Sequence, residues 1–296
     1  MSAIKVGFVG VGKMGQPMVA HLRRAGVAVM AFDLLAENLS QAQVLGCHVA
    51  ESLTQCASWA DVLVSSLPDD TALAAITGGN AHSQNIFDHL RIGTVYVDTS
   101  TVSPAASAAV ATRTPPHVAY LRATVSGNPV TAQAGNLTLM ASGPREAYER
   151  VQPLCAHFCK TQFYLGEAEQ ARVAKLVINL MVAVSAGMIA EALVLGEQGG
   201  LERAQLLDLM AQSAVGSPLV HYKIPPLKAH DYTSTFSGNQ MLKDLDLILD
   251  AGAQNGVPLA LAAHMRGVYE AMRGAGLGEL DYIATVRALE SGTAAP

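Results

Sequence analysis

Residues 167–198 read EAEQARVAKLVINLMVAVSAGMIAEALVLGEQ, with no proline and only two interior glycines, which makes them one long helix. Between Leu176 and Leu195 the run is almost continuously apolar, and about twenty such residues also suffice to cross a bilayer. Against that, Asn179, Ser185 and Glu191 break the run and no Lys/Arg cluster flanks it. A helix apolar all round also suits the centre of a large soluble fold, and that reading is preferred over a membrane span. Lys175 and Asn179 then stand four residues apart on one face, two long polar groups on an apolar helix that need a reason.

Composition sets the frame. A chain of 296 residues, 50% hydrophobic and 15% charged, has length enough for two domains and none of the charge richness of disorder. A net charge of −5 with scattered basic residues argues against nucleic acid. Cys47, Cys56, Cys155 and Cys159 lack metal-ligand spacing, so no metal is expected and a reducing compartment fits. The first residues, MSAIKVGFVG, are too short and glycine-rich an apolar run for a signal peptide, and a cytoplasmic protein is expected.

The N-terminal half alternates strand and helix. A buried strand at residues 4–9 runs into Gly10-Val11-Gly12-Lys13-Met14-Gly15 and then a helix. In this setting GxGxxG has a physical meaning: one glycine for the tight turn, one for backbone approach to a pyrophosphate, one for helix–strand packing, with the helix N-terminus facing the anion. A second strand, residues 27–32, ends in Asp33, where an acid meets the adenosine ribose diol. A carboxylate there repels a 2′-phosphate and no Arg or Lys follows through residue 45, so NAD is favoured over NADP; the plain alternative is that Asp33 caps the next helix. Further alternation implies a doubly wound parallel sheet. Leu67-Pro68-Asp69-Asp70 leaves one strand at its ligand-binding edge, and Asp98-Thr99-Ser100-Thr101 leaves another. The hydroxyls of Ser100 and Thr101 either cap a helix or reach the nicotinamide side of the cofactor.

The ordered set GxGxMG, LPDD, DTSTVSP, VSG (residues 125–127), AGNLTLMASG, AKLVINL and Lys243-Asp244 resembles the β-hydroxyacid dehydrogenases, the 3-hydroxyisobutyrate dehydrogenase and tartronate semialdehyde reductase group of the 6-phosphogluconate dehydrogenase superfamily, over nearly the whole chain. The resemblance implies a Rossmann domain at residues 1–166 and a helical substrate and dimerisation domain at residues 167–296, joined by the long helix. It implies an NAD(P)-dependent enzyme acting on a short β-hydroxy acid or its semialdehyde. Lys175 matches the family's acid/base, Asn179 its substrate-orienting asparagine, and Ser126 and Gly127 its carboxylate contacts. Gly10 to Gly15, Asp33, Leu67, Pro68, Ser100, Thr101 and Lys243 fall to the cofactor. A lysine works as base only when neutral, so burial or a second cation, for which Lys243 is the candidate, must lower its pKa from about 10.4. On spacing alone Lys175 could equally snorkel from a helix end.

The chain departs from the family's DAPVSGG segment at Arg122, Thr124 and Asn128, and Leu180 stands where a second asparagine is common. Asn128 would narrow the substrate's place, and Arg122 is either a solvated residue or an added clamp for an anionic substrate. Beyond residue 201 the pattern is helical, with a turn at Pro225-Pro226, and Asp244 and Asp246 are assigned to the dipole at the start of a helix over residues 241–255. The cleft is expected where Lys175 faces the glycine loop, with hinge closure over the cofactor. A homodimer or homotetramer through the helical domain is expected. The competing readings are an imine reductase-like enzyme, which usually lacks the lysine, and a dinucleotide-binding module without catalysis.

Overall fold

The computed structural model describes residues 4–79 and 84–292; most of the tail expected at residues 291–296 lies outside them. In chain order the elements are β1 (Lys5–Val9), α1 (Gly15–Arg24), β2 (Ala28–Phe32), α2 (Ala36–Val44), β3 (His48–Val49), α3 (Leu53–Trp59), β4 (Val62–Ser65), α4 (Asp70–Ile76), β5 (Val95–Asp98), α5 (Pro104–Arg113), β6 (Ala119–Ser126), α6 (Pro129–Gln133), β7 (Leu137–Ser142), α7 (Arg145–Cys155), β8 (Cys159–Tyr164), α8 (Gln170–Gln198), α9 (Arg203–Gln212), α10 (Pro218–Lys228), α11 (Gly238–Gln254), α12 (Ala260–Gly274) and α13 (Thr285–Glu290). They divide into two compact units, Met1–Lys175 and Leu176–Pro296. The reading from sequence put the boundary at residue 166. By compactness the division falls nine residues later, inside α8, whose first turn is bonded to the sheet.

The first unit is one sheet in the order β3-β2-β1-β4-β5-β6-β7-β8. All neighbours are parallel except β6 and β7, which run antiparallel. β4 and β5 are buried at every position, as strands covered on both faces must be. Their side chains alternate between two apolar layers: Val62, Val64, Val95 and Val97 enter one, Leu63 and Tyr96 the other.

Register places one row straight across this sheet. Phe32, Val9, Ser65, Asp98, Arg122 and Ser142 are successive cross-strand partners on β2, β1, β4, β5, β6 and β7. The first four are the last residues of their strands, so the row marks the edge from which the ligand-binding loops leave. On the other side of β1 it turns polar, and Ser65, Asp98, Arg122 and Ser142 are all buried.

The second unit is helical, with Ala183, Ala186, Ile189, Ala190 and Leu193 of α8 packed into its core beside Met241, Leu245, Met265 and Tyr269. α8 is not buried all round, as the sequence suggested: Val173, Val177, Met181, Met188 and Leu195 form an exposed line along it. By length and composition it could cross a membrane, its most apolar 18-residue window having a mean hydropathy of 2.0.

Two further expectations are corrected. Pro225 and Pro226 lie inside α10 and make no turn there. Lys223 and Leu227, both buried on either side of them, hold the helix through the missing N–H bonds. α11 begins at Gly238, three residues before the expected start, because Ser237 and Gln240 form a capping box.

Candidate active site

The β1–α1 turn gives each glycine the job its position demands. Gly10 has φ +87° and a Cβ there would lie 2.3 Å from the Ser66 carbonyl oxygen; at Gly15 it would lie 2.2 Å from the Gly10 carbonyl oxygen. Gly12 is different, since an added Cβ would meet only Asn38 at 3.9 Å, which leaves the backbone open to approach. α1 has no side-chain N-cap to compete for its first N–H groups. Lys13 is exposed, while Val11 and Gly15 are buried. Asp33 directly follows β2 and accepts from Val11 N and from Leu35 N, both at 2.9 Å. It is not the cap of α2, whose N-cap position is Leu35. Leu34 and Leu35 beside it are exposed. An open glycine backbone, an uncapped helix start and an acid at the end of β2 suit a dinucleotide's pyrophosphate and ribose.

The next two strand ends carry a buried polar network. Arg172, in the first turn of α8, donates from Nη2 to Asp98 Oδ2 at 2.5 Å and to Tyr120 Oη at 2.9 Å, from Nη1 to the Ser100 carbonyl at 2.6 Å, and from Nε to Ser107 Oγ at 3.1 Å. Burial pulls this guanidinium toward neutrality, but Tyr120 and Asp98 outweigh it and raise its pKa. Burial in turn pushes Tyr120 up to about 12, against the pull of Arg172. Removing one member would strand a charge in the interior at about 3–5 kcal/mol, a large share of a total stability of roughly 5–15 kcal/mol. Ser100 belongs to this network: its hydroxyl donates to Asp98 Oδ1 at 2.6 Å and accepts from Leu67 N at 2.9 Å. Ser100 is buried and its hydroxyl is engaged on both sides, which ties the residue anticipated near the nicotinamide to the strand ends; Thr101 follows, half-buried, and Pro68 is exposed beside half-buried Leu67.

The segment after β6 is similarly resolved. Ser126 ends the strand half-buried. Gly127 has φ +139°, and a Cβ there would stand 2.5 Å from Thr131 Oγ1 and 2.6 Å from Leu137 Cδ2, so only glycine fits. Asn128 caps α6: its side chain accepts from Thr131 N at 2.9 Å, while Thr131 Oγ1 accepts from Asn128 N at 2.8 Å. The amide expected to narrow the substrate's place is thus spent on a capping box. Arg122 is corrected too. It is buried rather than solvated, ion-paired through Nη2 with Glu169 and stacked 4.7 Å from the Tyr120 ring centroid, so its charge is met within the chain.

On α8, Lys175 is half-buried and closes the first unit, and Asn179 stands one turn on in the second. Asn179 is buried and donates from Nδ2 to Asp244 Oδ2 at 2.5 Å; the Lys243 ammonium lies 2.9 Å from Asp244 Oδ1. Asp244, itself buried, was assigned to a helix dipole because α11 was expected to start late. It instead joins Asn179 to Lys243, a link across 65 residues that only the Lys-Asp pair of the family pattern hinted at. Arg172 and Asp98 were missed in the same way. Leu180 packs against the core of the second unit. Among the described residues no group of three or more His, Cys, Asp or Glu side chains is placed to hold a metal.

Two family models cover the chain. One, described as the NAD binding domain of 6-phosphogluconate dehydrogenase, matches residues 5–166. The other, described as the NAD-binding domain of NADP-dependent 3-hydroxyisobutyrate dehydrogenase, matches residues 170–289. The 2-(hydroxymethyl)glutarate dehydrogenase of Eubacterium barkeri is 31% identical over 98% of this chain and 96% of its own length. The NAD-dependent L-serine dehydrogenase of Pseudomonas aeruginosa is 30% identical over 94% of this chain and 95% of its own. Among solved structures, Mycobacterium tuberculosis 3-hydroxyisobutyrate dehydrogenase with L-serine superposes with a TM-score of 0.85 at 29% identity, covering 97% of this chain and 99% of that one.

Proposed function

Since the chain belongs to the β-hydroxyacid dehydrogenase family and is an NAD(P)-dependent dehydrogenase acting on hydroxy acids, we propose that it prefers NAD, takes a short β-hydroxy acid or its semialdehyde, and uses Lys175 as acid/base. The observation that carries this reading is the pair Lys175 and Asn179, one turn apart on a largely apolar helix, with Asn179 tethered to Asp244. The nicotinamide cofactor supplies the hydride acceptor or donor. In oxidation the neutral amine of Lys175 takes the hydroxyl proton; in reduction its charged form returns a proton to the carbonyl oxygen. Ser126 and the backbone at Gly127 bind the substrate carboxylate, and Asn179, its amide fixed by Asp244, orients the reacting carbon. NAD is preferred because Asp33 repels a 2′-phosphate and exposed Leu34 and Leu35 follow where a phosphate-binding side would need cations. One of the matched families carries NADP in its description, so the preference needs a direct measurement.

The test is initial-rate reduction of NAD and of NADP with 3-hydroxyisobutyrate, L-serine, 3-hydroxypropionate, glycerate, threonate and sulfonate analogues, with semialdehydes run in reverse. Turnover with NAD on a carboxylate member is expected, and Lys175→Ala should bind NAD normally while losing at least about a hundredfold in kcat. Tight NAD binding with silence across the panel would sink the substrate class; unchanged turnover in the variant would remove Lys175 from the chemistry.

A further inference from the structure

The polar half of the cross-sheet row does more than fill the interior. Each of its members, directly or through a neighbour, bonds to the first turn of α8. Ser142 on β7 serves as this helix's cap from another element: its hydroxyl accepts from Ala171 N at 3.1 Å and donates to the Ala168 carbonyl at 2.6 Å. Arg122 on β6 pairs with Glu169. Asp98 on β5 takes Arg172, and Ser65 on β4 donates to the same Asp98 at 2.8 Å. Two residues beyond Arg122 on the same strand face, Thr124 Oγ1 donates to the Ala171 carbonyl at 3.0 Å. In an α-helix that carbonyl is the one that accepts the backbone N–H of Lys175. Thr124 therefore grips the peptide group that holds the lysine, and the next residue on its strand face is Ser126.

From this geometry we propose that Thr124 and Ser142, with Arg122–Glu169 and Arg172–Asp98, are positioning residues: they fix the backbone of Lys175 relative to the strand that presents Ser126. Two of the chain's departures from the family segment, Arg122 and Thr124, then belong to helix anchorage and not to substrate choice. A hydroxyl at 124 reaches the first turn of the helix, and a guanidinium at 122 reaches the residue just before it. The inference rests on the reading of Lys175 as acid/base.

Substitution at Arg172 or Asp98 would endanger folding, so the test uses Thr124→Val and Ser142→Ala, which remove one hydroxyl each and keep the volume close. Two readouts are needed, with Lys175→Ala run alongside on whichever hydroxy acid turns over. Amide hydrogen exchange in a peptide spanning residues 169–179 should speed up in both variants while the rest of the sheet is unchanged. The kcat should fall about tenfold, with the primary deuterium isotope effect on kcat rising and the KM for NAD within about twofold, because a displaced acid/base slows the chemical step and leaves cofactor binding alone. Unchanged exchange overturns the anchorage. Faster exchange with kcat and isotope effect unchanged, in an enzyme that Lys175→Ala inactivates, shows a structural weld only and overturns the positioning role. Full turnover in Lys175→Ala removes the lysine's role, and with it the positioning proposal, while the exchange result still reports on the weld.

Discussion

Asp33 shows how much a single carboxylate can be asked to do. It holds the glycine loop through Val11 N and its own turn through Leu35 N, and the proposed NAD preference asks it to meet a ribose diol as well. Asp33→Ala therefore removes a loop contact and a charge together. The kcat/KM for NAD should fall, while that for NADP falls less or rises, so the NAD-to-NADP ratio drops by about tenfold or more, the equivalent of roughly 1.4 kcal/mol. A ratio that stays put would mean the ribose is read by other groups. The place of Asp33 could be read locally, at a fixed distance from a glycine motif, whereas spacing alone left Lys175 open and only the resemblance singled it out. Asp244, Arg172 and Asp98 were not, because each acquires its partner across 65 or 74 residues. Arg122 was ambiguous for the same reason, since Glu169 lies 47 residues away.

Among the elements α8 was the easiest to find and the hardest to interpret. Its length and single-helix character follow from composition, but an apolar sequence does not say which side is covered. The outward line of Val173, Val177, Met181, Met188 and Leu195 is a surface that water covers at a cost of about 25 cal/mol per Å². A second copy of the chain is the cover we propose, since most soluble oligomers are built from identical subunits. Sedimentation should show a dimer or larger assembly at micromolar concentration, and Met181→Glu should shift it toward monomer with its secondary structure intact. A wild-type monomer at that concentration would refute the proposal. Capping chemistry set the element starts: the Ser237/Gln240 box moved the start of α11, and the Asn128/Thr131 box placed a presumed specificity residue at the N-cap of α6.

For the molecule as a whole, the buried ionisable groups set an alkaline limit. Burial pushes Cys47 up to about 11 and Cys56 and Cys155 to about 12, and raises Cys159 as well. Tyr120 goes to about 12, and Tyr96, Tyr269 and Tyr282 are also raised. As pH climbs past the ordinary thiol value of 9.0 the unfolded chain gives up these protons first, so the stability they contribute is complete below that pH and is lost between it and about 12. Lys223, whose pKa burial lowers, pulls the other way, one group against many. The Tm should stay level from pH 7 to about 8.5 and decline steadily above 9, and the four thiols should react with a disulfide reagent only as the chain unfolds. A flat Tm to pH 11, or prompt labelling of the folded protein, would contradict the burial that these shifts express. The sheet row also sets a phase. An α-helix turns about 100° per residue, so with Arg172 keyed to Asp98 the three steps to Lys175 set the compass bearing of its amine as the zero mark sets a dial. One residue inserted between them would swing that bearing by more than a quarter of a circle, while the same insertion past Asn179 would leave it where it was.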